Sequence, residues 1–262
     1  MPANIYVELE DGVATIVLNR PEERNAISYE GWLELRRLAK EIGTDEQIRV
    51  VVLRGTGEKA FSAGADIKDF DRFRTDSEQA KKYQTAFDAA VDAIEAIPVP
   101  TICHIKGFCI GGGCELTLAT DLRISADNGR FAIPAARLGI VIGHQEMSRL
   151  VRLIGPGNTS YILLTGRTID AVEAFRIGLV TVVIPLEESD KYVENLAREI
   201  VELAPLSHYV HKQIMSRVVS APFPLELTAE EASLPFANFD SEDFQEGRLA
   251  FLERRRPRFS GR

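Results

Sequence analysis

The feature that most limits the fold is an alternation that stops. Up to about residue 187, strand-like runs alternate with helical spacing; from Glu188 onward only helical spacing remains. "RVVVLRG" is a continuous apolar run of strand length, as expected of a strand buried on both faces. "TICHIKG" is another, and each feeds a loop of small residues followed by a helical pattern. "IYVELEDGVATIVLNRP" reads as a hairpin turning at Asp11-Gly12. Ser28 is placed to cap a helix carrying Trp32, Leu35, Leu38 and Ile42, ended by Gly43. Thr75 and Glu78 have capping-box spacing before a helix with Ala80, Tyr83, Phe87, Val91 and Ile94, stopped by Pro98. "DLRISA", "FAIP" and "LVTVVIP" add short strands; "YVENLAREIVELA", "SHYVHKQIMSRVV" and "SEDFQEGRLAFLERR" add helices. The expectation is an α/β chain with a β/α body over residues 1–187 and a helical segment over 188–262. A helical tail too small to close its own core packs on the body or on a neighbouring subunit.

Charge and cysteine usage narrow the class. The formal charge of −8 over 262 residues speaks against a nucleic-acid binder, although Arg254, Arg255, Arg256, Arg258 and Arg262 make the tail locally basic. Cys103, Cys109 and Cys114 form neither a CxxC pair nor a disulfide framework, which fits a reduced cytoplasm. No apolar run reaches transmembrane length and "MPANIYVELEDG" does not read as a signal peptide, so no membrane partner is expected.

"GFCIGGGCELTLATDL", residues 107–122, carries the chemistry. A glycine-rich helix start leaves backbone N–H groups without partners at the positive end of the helix. It fits neither GxGxxG nor GxxxxGK[ST], and Glu115, three residues past Gly112, would repel a phosphate. An oxyanion that exists only during reaction suits it better: a carbonyl oxygen against the Gly112 N–H, with Glu115 one turn away to move a proton. Alone, such a stretch is more often a tight turn with a solvated glutamate. "KAFSAGADIKDF", residues 59–70, alters that balance, because Ser62 to Ala65 form a second small-residue loop after a strand. Asp66 then takes an N-cap or first-turn position. Two such loops are placed to give one donor each to the same oxygen.

Together "NRPEERNAIS", "FSAGADIKDF", "GFCIGGGCELTLATDLRIS", "LTGRTIDAVEAFRIGLVTVVIP" and "EGRLAFLERRRPRF" resemble, in order and over nearly the whole chain, the crotonase superfamily, the enoyl-CoA hydratase/isomerase family. The resemblance implies a spiral of β/β/α turns with a helical C-terminal trimerisation segment, assembled as a homotrimer or a dimer of trimers. It implies an oxyanion hole from the N–H groups of Ala65 and Gly112, with Glu115 as a catalytic acid/base. It places coenzyme A along Ala65, Asp66, Ile67 and Lys68, with the Ala63 carbonyl at the adenine. Phe251 and Arg254 match positions that touch coenzyme A bound to a neighbouring subunit. The acyl-CoA is substrate; no cofactor and no metal are implied.

One departure stands out. The family's hydratases carry a second glutamate where "FAIPAARLGIVIGHQE" places Ala135, and a methyl group cannot transfer a proton. His144 and Glu146 of the altered loop are candidates for a second acid/base, against a plainer reading as solvated first-turn residues. Arg137 is a candidate carboxylate binder, though a surface or capping role is commoner. His104 reads as a packed strand histidine, and His208 and His211 lack the partners of a metal site. The leading expectation is an enoyl-CoA hydratase. Its rivals are an enoyl-CoA isomerase, an acyl-CoA decarboxylase and, from another class, a non-catalytic acyl-CoA- or RNA-binding protein.

Overall fold

The computed structural model describes residues 3–73, 75–220, 227–236 and 238–262. Its strands are β1 (Ile5–Glu10), β2 (Val13–Leu18), β3 (Val50–Gly55), β4 (Ala60–Ser62), β5 (Thr101–Ile105), β6 (Phe108–Ile110), β7 (Leu122–Ala126), β8 (Arg130–Ala132), β9 (Ile169–Asp170) and β10 (Val182–Ile184). Its helices are α1 (Tyr29–Ile42), α2 (Phe70–Phe73), α3 (Ser77–Glu95), α4 (Gly112–Thr117), α5 (His144–Thr165), α6 (Ala171–Arg176), α7 (Leu186–Val201), α8 (Pro205–Ser220), α9 (Ala229–Ser233) and α10 (Glu242–Glu253).

The strands divide between two sheets, ordered β1-β2-β3-β5-β7-β10 and β4-β6-β8-β9. The chain alternates between them. β3, β5 and β7 each give one parallel strand to the larger sheet, and β4, β6 and β8 follow at once in the smaller one. Each β/β pair repeats the step of the one before, which generates the crotonase-type spiral. β3 and β5 are buried almost throughout, as their unbroken apolar runs require. β6 and β9 escape sequence pattern because three and two residues are too short to show a period.

The predicted helix signals are mostly placed correctly. The Ser28 hydroxyl accepts from Gly31 N and caps α1, and Gly43 ends it. The start of α3 needs correction: Asp76, not Thr75, is the cap, its carboxylate accepting from the amides of Glu78 and Gln79. A carboxylate one residue nearer the helix reaches two open amides, and Thr75 Oγ1 instead meets Asp76. α5 bends at Gly155, whose φ of 73° interrupts the helix just before Pro156. α7, which runs across the expected body boundary at 187, lays Val193, Ala197 and Ile200 on Val50, Val52, Ile102 and Ile124 of the larger sheet.

The other face of that sheet belongs to the main core, where α1 packs against α3. Trp32 is fully buried; its ring meets Phe87 edge-on at 4.7 Å between centroids, and its indole N–H donates to Tyr83 Oη at 2.8 Å. Tyr83→Phe keeps the ring but strands the buried indole N–H. The variant is expected to lose about 1–3 kcal/mol, read as a lower urea midpoint with the slope unchanged.

Candidate active site

The two small-residue loops meet. A Cβ built on Gly64, at φ +92°, would lie 2.6 Å from Ile110 O and 3.1 Å from Gly112 N. From the other side, a Cβ on Gly112 would lie 3.6 Å from Ala65 N and 3.3 Å from both Trp32 and Phe87. Gly111 takes φ 55°, ψ −127° to turn β6 into α4, a conformation nearly closed to other residues. A Cβ on Gly113 would collide with Ser62 at 2.7 Å. The glycines thus serve backbone approach: they bring the Ala65 and Gly112 amides together on top of the aromatic core.

Neighbouring segments hold the first loop. Ser62 Oγ donates to Asn25 O and accepts from Gly64 N. Asn25, 1% exposed, donates to Thr56 O and Ala60 O and accepts from Arg20 N. Arg20 pairs with Asp66 at 2.8 Å, and Asp66 also accepts from Lys68 N. Burial alone would raise the Asp66 carboxyl, but Arg20 and the Lys68 amide outweigh it and hold it below the usual range. Asp69 accepts from Tyr29 N and ties the loop to the start of α1. The parallel bridge between Ile27 and Ala65 uses the amides of Ile27 and Asp66, and so leaves the Ala65 N–H out of the ladder. Gly112 opens α4, where the first amides have no acceptor within the helix.

Ala65 and Gly112 line one cavity of about 220 Å³, together with Ala63, Ile67 and Glu115. Phe87, Ile110, Ile133, Pro134, Ala135, Leu138, Ile140, Val141 and Ile142 supply an apolar wall, and Gln84 of α3 completes it. A surface groove of about 1170 Å³ lies along Glu199, Glu202, Glu246, Arg255 and Arg258, but it has no small-residue turn to bring amides to a ligand.

The remaining sequence candidates fall elsewhere. Asp66 is buried against Arg20, while Lys68 is exposed and 3.6 Å from Glu23. His144 is exposed at the first position of α5; Glu146, two residues on, is 1% exposed; neither lines the cavity. Phe251, 84% exposed, and Arg254, in left-handed conformation after α10, lie outside the cavity of their own chain. Arg137 lies over Gly166, which ends α5. His104 is buried beside Ser189 at 3.1 Å, and burial pushes it down to about 4. All three cysteines are buried and free, and burial pushes the Cys103 and Cys109 thiols up. Gln84 and the apolar residues on either side of Ala135 were missed in the sequence because a lone glutamine and an apolar loop carry no motif.

A polar ladder joins α3 to α5. Gln84 and Asp88 of α3 meet Glu146, and Arg149 binds Asp92 at 2.6 Å and Glu95 at 2.5 Å. Burial, then the neighbouring Asp88, pushes the Glu146 carboxyl up to about 7. Its contribution to stability is therefore full below the ordinary carboxyl range and is lost as pH rises through about 7. Melting temperature of the wild type should fall more than that of Glu146→Gln between about pH 5 and pH 8; parallel curves would refute the buried charge.

The chain belongs to the enoyl-CoA hydratase/isomerase family, whose model matches residues 8–262. It is accordingly an enzyme of the hydratase/lyase type with the crotonase fold. It is 33% identical over 253 residues to a short-chain-enoyl-CoA hydratase of Clostridium acetobutylicum, covering 97% of this chain and 96% of that protein. It is 33% identical over 256 residues to a crotonyl-CoA hydratase of Syntrophomonas wolfei, covering 98% and 97%. A crystal structure of an enoyl-CoA hydratase/carnithine racemase from Magnetospirillum magneticum superposes with a TM-score of 0.96 at 37% identity, covering 100% of this chain and 97% of that one.

Proposed function

We propose that the protein is an enoyl-CoA hydratase acting on a short, uncharged acyl thioester. The observation that carries this reading is the convergence of the Ala65 and Gly112 amides and Glu115 on one apolar cavity. The two N–H groups receive the thioester oxygen as it gains charge, and Glu115 moves the proton at C2. Donors fixed by the backbone need no reorganisation during reaction. The volume of about 220 Å³ suits a short chain, and among the described residues no cationic side chain lines the cavity to hold an acyl carboxylate. The names of the Clostridium and Syntrophomonas relatives agree with that size. The pantetheine and nucleotide run past Ala63 and the Ala65–Lys68 loop.

The tail supports the assembly part of the reading. Phe236, Phe239, Phe244, Leu249, Phe251 and Leu252 are all exposed on the C-terminal segment of the lone chain, and a trimer or dimer of trimers buries such residues. Phe251 and Arg254 then reach coenzyme A on the adjacent subunit. No described helix is long and apolar enough to cross a membrane, in keeping with a cytoplasmic enzyme.

One observation favours a second reading. Ala135 lines the cavity where the resemblance leads one to expect a carboxylate, and a double-bond isomerase needs only one acid/base. Parallel assays with 2-enoyl and 3-enoyl thioesters separate the two. Glu115→Gln keeps the shape and removes the ionisable oxygen. It is expected to lower kcat by about 10²–10⁴-fold and to leave coenzyme A affinity within a few-fold, measured by calorimetry. Full activity in this variant would remove Glu115 from the mechanism.

A further inference from the structure

Hydration by a single carboxylate conserves the proton count. Glu115 takes one proton from water as the water oxygen bonds C3, the C2=C3 electron pair moves into the thioester enolate, and Glu115 returns that proton to C2 as the carbonyl re-forms. The second hydrogen of the water stays on the oxygen and becomes the product hydroxyl. Something must accept a hydrogen bond from it, or the attacking oxygen has no fixed direction. Among the described residues lining the cavity, only Gln84 and Glu115 carry polar side chains.

Gln84 is held in an unusual way. Its Nε2 donates to Asp88 Oδ1 at 2.6 Å and to Glu146 Oε2 at 3.2 Å. A carboxamide nitrogen has two hydrogens, and two carboxylates take both, leaving the carbonyl oxygen as its remaining polar atom. Gly143 makes the arrangement possible: a Cβ there would lie 2.4 Å from Glu146 Oε2 and 3.1 Å from Gln84 Nε2. Glu146 lies in the first turn of α5, and its Oε1 is buried with no hydrogen-bond partner, 3.8 Å from Arg149 Nη1. A buried, half-satisfied carboxylate costs stability; here it fixes which end of Gln84 can face the cavity.

We propose that Gln84 is a catalytic residue whose Oε1 holds the attacking water, or the 3-hydroxyl in reverse, and that Glu146 and Asp88 are positioning residues that orient its carboxamide. This rests on the enolate reading above. It supplies from α3 the function that Ala135 cannot perform from the loop. An ionised Glu146 only accepts, so it keeps the nitrogen of Gln84 on its side; a protonated Glu146 can donate and competes for the oxygen. The charged groups around it are Asp88 on α3 and Arg149 on α5, with Asp92 and Glu95 beyond Arg149, and the exposed His144 in the same first turn.

The test compares two reactions that share the enolate. Crotonyl-CoA hydration needs the water; exchange of the C2 hydrogens of butyryl-CoA in D2O needs only the two amides and Glu115. Gln84→Leu is expected to lower hydration about 10²-fold more than it lowers exchange. Glu146→Gln, which removes the titration without removing volume, should abolish a rise in the hydration-to-exchange ratio through about pH 7. Equal losses of both reactions in Gln84→Leu, or an unchanged pH profile in Glu146→Gln, overturn the proposal. So does a wild type that exchanges but does not hydrate. A wild type that catalyses no exchange overturns the enolate reading itself. Should Gln84→Leu fail to fold, Asp88→Asn in the same ratio assay decides, with an unchanged ratio counting against the proposal.

Discussion

The site depends on one contact, the approach of two backbone turns with no side chain between them. Gly64 lies where any Cβ would strike Ile110 O, and Gly113 where any Cβ would strike Ser62. Because the turns touch, the Ala65 and Gly112 amides lie near one another at the edge of one cavity. The spiral makes the contact recur naturally: β4 and β6 are parallel neighbours, so the chain leaving each emerges at the same edge of the smaller sheet. The register of two short strands thus sets the spacing of the two turns.

What keeps the turns in place is mostly polar below and apolar behind. Arg20, Asn25, Ser62, Asp66 and Asp69 form a connected set of hydrogen bonds that fixes one loop to the start of α1. Behind the other turn, Trp32 and Phe87 lie 3.3 Å from where a Cβ on Gly112 would stand, closer than ordinary contact. Rigid packing of this kind transmits small displacements directly to the amides. The pair Trp32–Tyr83 also fixes α3 at the position from which Gln84 enters the cavity. Core and cavity therefore meet in α3: Tyr83 is buried in the core, and its neighbour Gln84 lines the cavity.

Much of this was legible in the sequence. The continuous apolar runs gave β3 and β5, Asp11-Gly12 gave the hairpin, and Ser28 and Gly43 bracketed α1. The two glycine-containing loops and Glu115 were legible as a motif, and the structure brings them to one cavity. The cap of α3 was misplaced by one residue, since Thr75 and Asp76 both suit a cap and only the backbone path decides between them.

What the sequence determined by itself was whatever rests on local chemistry: periodic burial and turns that need glycine. What only the tertiary structure decided was which distant polar residues meet. Gln84 and Glu146 are 62 positions apart and belong to no motif. Their pairing comes from the packing of α3 against α5 and from the space left by Gly143. A buried carboxylate and a surface one are the same letter in a sequence. Burial, and with it the energy of the charge, is set by residues brought together only when the chain closes.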